Sequence, residues 1–170
     1  NLNAEATDFS RRSLATLGTN ERLKVERTAL GVSGVGELFW GGGLGSVTLA
    51  ARMEQVVDDG RSWEQTTPAL GLRLQPDPSL IVMGNLSRAW RAPALDELYL
   101  DTEGSEGDPD LSPEEATSAD LGLRWKPSAV VDVEAVGFWL DIEDIILFLP
   151  ASSWLYRAQN IGAATSYGAE

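Results

Sequence analysis

Apolar and polar residues alternate with period two over most of the chain. Val47, Leu49, Ala51 and Met53 are apolar, while Thr48, Arg52 and Glu54 between them are polar. That is the signature of a strand whose two faces meet different surroundings. Leu70, Leu72 and Leu74 interleave in the same way with Gly71, Arg73 and Gln75, and Leu121, Leu123 and Trp125 with Asp120, Gly122 and Arg124. Val131, Val133 and Ala135 alternate with Asp132 and Glu134, after which residues 138–148 become more continuously apolar. The pattern predicts seven strands, over 25–39, 44–57, 65–75, 79–92, 115–126, 129–147 and 155–170. Helical periodicity is confined to one turn between Pro93 and Leu100.

The connections fall into two classes that alternate along the chain. Residues 40–43, 76–78 and 127–128 read as tight turns of Gly, Pro, Asp and Ser. Long polar loops are expected at 57–64, 93–114 and 148–154. Alternation puts every turn at one end of the sheet and every loop at the other, with 1–24 as the tail of a preceding outer loop. This is the layout of an all-β, antiparallel up-and-down transmembrane β-barrel with short periplasmic turns and long extracellular loops. A soluble antiparallel sandwich also alternates and is the competing fold. Strands of about 9–11 residues cross a bilayer, whereas soluble strands average about 5–6. Trp40, Trp90, Trp125 and Trp139 near strand ends match interfacial aromatic girdles.

Composition narrows the chemistry. Among 170 residues there is no Cys and no His, so disulfides, thiolate or imidazole metal ligands and His-based triads are excluded. The balance of 13 basic and 26 acidic residues, a net charge of −13, argues against nucleic acid as a partner. No apolar run reaches the roughly 20 residues of a membrane helix. The chain starts at Asn1 without Met or a signal-peptide pattern, so a piece of a longer protein is expected.

Residues 85–115 carry a resemblance. Trp90, Arg91, Ala92, Pro93, Leu95, Glu97 and Leu98 fit a "(F/W)RAP-x-(L/F)-x-E-L" element ending one strand. Pro109, Leu111, Pro113 and Glu114 fit "N-P-x-L-x-P-E", with Asp108 in place of Asn. Asp120–Trp125 resembles "E-L-G-L-R-Y", residues 138–146 resemble "F-x-x-D-I-x-D-x-I", and Asn160, Gly162, Gly168 and Glu170 fit "N-I-G-x-A-x-x-x-G-x-E". Taken in order, these resemble the C-terminal part of the barrel of TonB-dependent outer-membrane receptors.

The resemblance implies an outer-membrane location and uptake of a scarce ligand such as a ferric siderophore, haem or cobalamin. It also implies membrane lipid as surroundings, a plug domain of the same full-length chain, and the TonB complex acting through that plug. Plug and TonB box are absent from these residues, so they are expected to form part of a barrel domain over 1–170. No cofactor, metal or catalytic residue is assigned, and paired carboxylates such as Glu114 and Glu115 lack a pocket that would make an enzyme. Arg91, Asp96, Glu97 and Tyr99 are the rim candidates for ligand contact, with Arg91 expected to pair with Asp96 or Glu97. The other motif residues are read as shaping the barrel and its rim. The acidic stretch Asp101, Glu103, Glu106, Asp108 and Asp110 fails the calcium-loop spacing, since Glu106 stands at position six and Ser112 at position twelve. Arg52, Arg73, Asp120, Arg124, Asp132 and Glu134 are expected to face a hydrated lumen. The alternative function is a non-transporting β module, either a soluble binding sandwich or a small adhesin-type barrel.

Overall fold

The computed structural model describes residues 2–17, 23–58 and 61–170. Eight long strands form one antiparallel sheet: β1 (Leu2–Leu17), β2 (Leu23–Trp40), β3 (Gly45–Asp58), β4 (Arg61–Asp77), β5 (Leu80–Arg91), β7 (Glu114–Trp125), β8 (Val133–Pro150) and β9 (Tyr156–Ala169). A short helix α1 (Leu95–Tyr99) and a two-residue strand β6 (Ser105–Glu106) lie between β5 and β7. Each long strand pairs with the next in the chain, and β6 pairs parallel with β9. Among the described residues no second sheet covers the first, which removes the sandwich. The sheet is open, with β1 and β9 unpaired to each other.

Register explains why the alternation matters. Leu49, Leu70, Leu86, Ala119 and Trp139 are cross-strand partners in one row, and Leu38, Val47, Leu72, Gly84 and Leu121 in another. These rows share a face and stay open, Leu49, Leu70 and Leu86 being 54%, 41% and 49% exposed. Contiguous exposed leucine of this kind suits hydrocarbon. The opposite face carries Thr48, Gly71, Asn85 and Asp120 in one row, and its polar groups bond across strands. Asn85 Nδ2 donates to Asp120 at 2.8 Å, and the Ser87 and Ser118 hydroxyls lie 2.8 Å apart. Trp40 and Trp125 sit at the turn end of the apolar band and Trp139 in its upper row, while Trp90 stands beyond it.

The turns follow their residues. Gly41, Gly42 and Gly43 have φ of 61°, 66° and 108°, a left-handed run that glycine adopts without a steric penalty. Asp77 accepts from the amide and hydroxyl of Ser79 at 2.8 and 2.5 Å, an Asx turn between β4 and β5. Between β7 and β8, Arg124 grips Asp132 with two bonds of 3.1 and 2.7 Å. That guanidinium holds the Asp132 carboxyl down at about 2.

Four expectations are corrected. Leu2–Leu17 form β1 rather than a loop, and Leu23 opens β2. The loop expected at 57–64 is replaced by strand, since β3 runs to Asp58 and β4 starts at Arg61. Residues 129–132 belong to the connection, because β8 starts at Val133. The connection between β8 and β9 spans only Ala151–Leu155. The first two have one cause: in these stretches polar residues stand at both odd and even positions, so hydropathy does not alternate although backbone pairing continues.

A charge on the apolar face is expected to cost about 2–4 kcal/mol near the bilayer midplane. Leu72→Lys and Leu123→Lys should therefore reduce the folded, heat-modifiable barrel on gels of outer membranes, whereas Arg73→Glu should not. Equal tolerance of all three would remove the lipid assignment.

Candidate functional site at the outer end of the sheet

The connection between β5 and β7 folds back over the polar face. Pro93 is fully buried and fixes the direction in which the chain leaves β5. α1 follows, with Glu97 accepting from the Ala94 amide at 2.6 Å. Leu98 of α1 packs with Leu111, Ile146 and Ala158, and Trp63, Tyr99 and Phe148 border this cluster. The returning chain is tied to α1 by the Gly107 amide donating to the Leu100 carbonyl at 2.7 Å and the Asp108 amide donating to that of Glu97 at 2.8 Å. A Cβ on Gly107 would lie 2.7 Å from the Leu98 carbonyl carbon, so the two passes approach more closely than any other residue permits.

Two polar clamps fasten this loop. Arg91, the last residue of β5, donates to both carboxylate oxygens of Glu97 at 2.8 and 3.0 Å and through Nε to Glu114 at 2.8 Å. Glu114, the first residue of β7, also accepts from the Ile146 amide at 2.7 Å. One guanidinium thus joins β5, α1 and β7, and Glu114 carries the link to β8. Glu114 stands beyond the apolar band, and the bond from Arg91 holds its carboxyl below the usual range. The second clamp is Asn160 of β9, whose amide donates to the carbonyls of Ser112 at 3.0 Å and Asp144 at 2.7 Å. Its carbonyl accepts from the Ser112 amide at 2.8 Å. Asp144 has φ 54° and Gly162 φ 23°, so the sheet is irregular where Asn160 reaches across it.

Of the rim candidates, the structure brings Arg91 and Glu97 together and commits them to each other. Asp96 is exposed on α1, and Tyr99 lies half-buried against the apolar cluster. Leu111 is in that cluster, Ala92 and Pro113 are partly covered, and Pro109 is exposed. Gly168 faces the Phe138 ring across β8 and β9, and Glu170 extends their ladder by exchanging backbone bonds with Val136 at 3.0 and 2.9 Å. The acidic stretch is dispersed: Glu106 pairs with Arg157 at 2.9 Å and Asp110 with Arg61 at 3.7 Å. No set of three or more carboxylates converges on a metal position among the described residues. On the polar face Arg52 bonds Glu54 at 3.1 Å and Arg73 bonds Gln75 at 2.7 Å.

Sequence reasoning missed one group. Arg27 of β2 bonds Asp58 of β3 at 3.1 Å and stacks 5.8 Å from the Trp63 ring, with Asp58 fully buried. The pair sits where a loop was expected, so only an alternation unbroken past Val57 would have pointed to it. A groove of about 570 Å³ separates this wall from the start of the loop, lined by Arg27, Arg52, Glu54 and Val56 on one side and by Trp90 and Leu95 on the other. Its charge is mixed and its mouth open, which suits a polar ligand or the side chains of a neighbouring domain.

Arg91→Ala is expected to free the loop, because it removes three charge-assisted bonds and strands two carboxylates. Limited proteolysis of the full-length protein should show faster cleavage within 92–113. Arg91→Lys should restore little, lacking the planar fork. Since the Glu114 pKa is depressed, its contribution is present above the usual carboxylate range and is lost as pH falls through its lowered value. Acid should therefore mimic Arg91→Ala. A pH-independent cleavage pattern identical in both variants would remove the clamp.

The comparisons bear on what this arrangement belongs to. The sequence matches the family described as TonB dependent receptor-like, beta-barrel, over residues 3–170. The vitamin B12 transporter BtuB of Vibrio vulnificus is 29% identical over 115 residues, which is 66% of this chain and 18% of that protein's length. Among solved structures, the copper transporter OprC aligns with a TM-score of 0.73 at 19% identity, covering 99% of this chain and 30% of that one. The siderophore receptor PirA from Acinetobacter baumannii aligns at 0.69 and 18% identity, covering 90% and 26%. The FrpB iron transporter from Neisseria meningitidis (F3-3 variant) gives 0.66 and 18%, covering 92% and 23%. These relatives are transporters and receptors, and the chain spans less than a third of the length of each. With the open apolar rows, the inward-folded loop and a family match along the whole sheet, the chain belongs to the TonB-dependent receptor β-barrel family of the outer membrane.

Proposed function

We propose that this chain is one section of the wall of an uptake receptor that draws a scarce ligand, such as a ferric siderophore, haem or cobalamin, across the outer membrane. Residues 1–170 belong to its barrel domain. A plug domain of the same full-length chain fills the lumen against the polar face, lipid covers the apolar face, and the TonB complex supplies energy through the plug. The observation that carries this reading is the loop over 92–113, folded inward and clamped by Arg91 and Asn160 on the side where a plug would lie. A wall-facing core of Leu98, Leu111 and Ile146 holds it there.

Within this reading Asp96 and Tyr99 are the rim contacts for ligand, and Arg91 and Glu97 position them. Trp90, Ala92, Pro93, Pro109, Leu111, Pro113, Glu114, Asn160, Gly162, Gly168 and Glu170 maintain the shape of wall and rim. The 29% identity to a vitamin B12 transporter supports cobalamin as the first cargo to test. The three structural neighbours named above are under 20% identical and bear on the fold alone.

Cells lacking their own cobalamin receptor but expressing the full-length receptor should take up labelled cyanocobalamin only when TonB is present. Asp96→Ala and Tyr99→Ala should weaken binding without lowering the amount of folded barrel. TonB-dependent uptake of haem or a ferric siderophore instead would reassign the cargo. Failure to accumulate any of the three would overturn the transport reading.

A further inference from the structure

One seam in the wall is shorter than its neighbours. β3 and β4 pair from Gly45↔Leu74 to Asp58↔Arg61, and β5 and β7 pair as far as Arg91↔Glu114. Between β4 and β5 the ladder stops at Ala69↔Ser87. The next pair in that register would set Pro68 opposite Arg88, and proline has no N–H to donate. Beyond that point residues 61–68 of β4 and 88–91 of β5 share no ladder bonds, so the wall splits into a wedge that widens toward the loops. From β4 the Gln65 Nε2 donates past β5 to Glu115 of β7 at 2.6 Å.

At the apex of the wedge lies a groove of about 300 Å³, lined by Leu49, Pro68, Leu70, Leu86, Arg88 and Thr117. Leu49, Leu70 and Leu86 are the upper leucines of the apolar band. Arg88 marks the boundary where that band gives way to charge. Its side chain is 56% exposed and gives one hydrogen bond, from Nη2 to Glu115 at 2.7 Å, among the described residues.

We propose that this wedge binds a phosphorylated lipid of the outer leaflet, with an acyl chain in the groove and the phosphate on Arg88. The groove continues the open apolar rows, so hydrocarbon already surrounds it. The wedge leaves backbone donors and acceptors unpaired at the level where headgroup oxygens and hydroxyls, unlike acyl chains, can bond them. A guanidinium has five donors, which leaves room for a phosphate beside Glu115. An added protein strand fits poorly, because the gap tapers to ordinary pairing at Ala69↔Ser87 and Pro68 offers it no N–H.

The test uses the full-length receptor in detergent micelles doped with equal amounts of phosphatidylglycerol and diacylglycerol, examined by native mass spectrometry. One phosphatidylglycerol should be retained in preference to diacylglycerol. Arg88→Gln should weaken that retention about tenfold, the scale of a lost charge-assisted bond. Leu70→Trp, which fills the groove, should weaken retention of both lipids. Unchanged retention in both variants would overturn the site, as would equal retention of the two lipids by the unaltered receptor. A detergent-stable dimer abolished by Leu70→Trp would overturn it too, by putting a second protein chain in the groove. Cargo uptake is measured separately, so the lipid site and the transport reading can fail independently.

Discussion

In hydrocarbon an unpaired backbone N–H or C=O costs several kcal/mol, and a chain that crosses a bilayer as strands must satisfy each of them on a neighbouring strand. This requirement organises the whole sheet. Strands β2 to β5 and β7 to β9 pair in chain order, with registers that stay constant over ten or more residues in most ladders. Among the described residues few side chains are buried, so this part of the wall is held by its ladders rather than by a core. The outer edge of β1, and that of β9 beyond its two-residue pairing with β6, carry the same requirement.

Where the ladder is interrupted, the structure supplies something else. The β4–β5 ladder ends at Ala69↔Ser87, next to Pro68, and outward of it Gln65 of β4 bonds Glu115 of β7. The irregular point at Asp144 is covered by the Asn160 amide, which takes the Asp144 carbonyl and both backbone groups of Ser112. The loop over 92–113 is treated in the same way: its Leu98 and Leu111 are buried against Ile146 and Ala158 of the wall, and its polar ends are fixed by Arg91 and Asn160. The rim is therefore a fixed part of the wall at this position, and its shape comes from charge-assisted bonds at partly exposed groups.

Several motif residues acquire their reasons from these contacts. Arg91 and Glu97 read in sequence as a surface pair of small worth, yet Glu114 joins them and carries the link to β8. Gly107 is a point of close approach between two passes of the loop. Asp58 appeared to belong to a polar loop and is a fully buried carboxylate paired with Arg27. In each instance the partner lies on another strand or beyond a long loop, where spacing along the chain carries no signal.

The sequence by itself determined which residues share the apolar face of the sheet and which the polar face, the order of the long strands from β2 onward, and the motif string that marks the family. These are local properties, because side chains alternate with a period of two and turn residues act within a few positions of themselves. The tertiary structure alone decided how far each strand runs past the apolar band, what Arg91 and Asn160 hold, and where the wall splits. Those depend on register between strands and on the path of one long loop, and past the apolar rows polar residues stand at both odd and even positions, so hydropathy no longer alternates to report them.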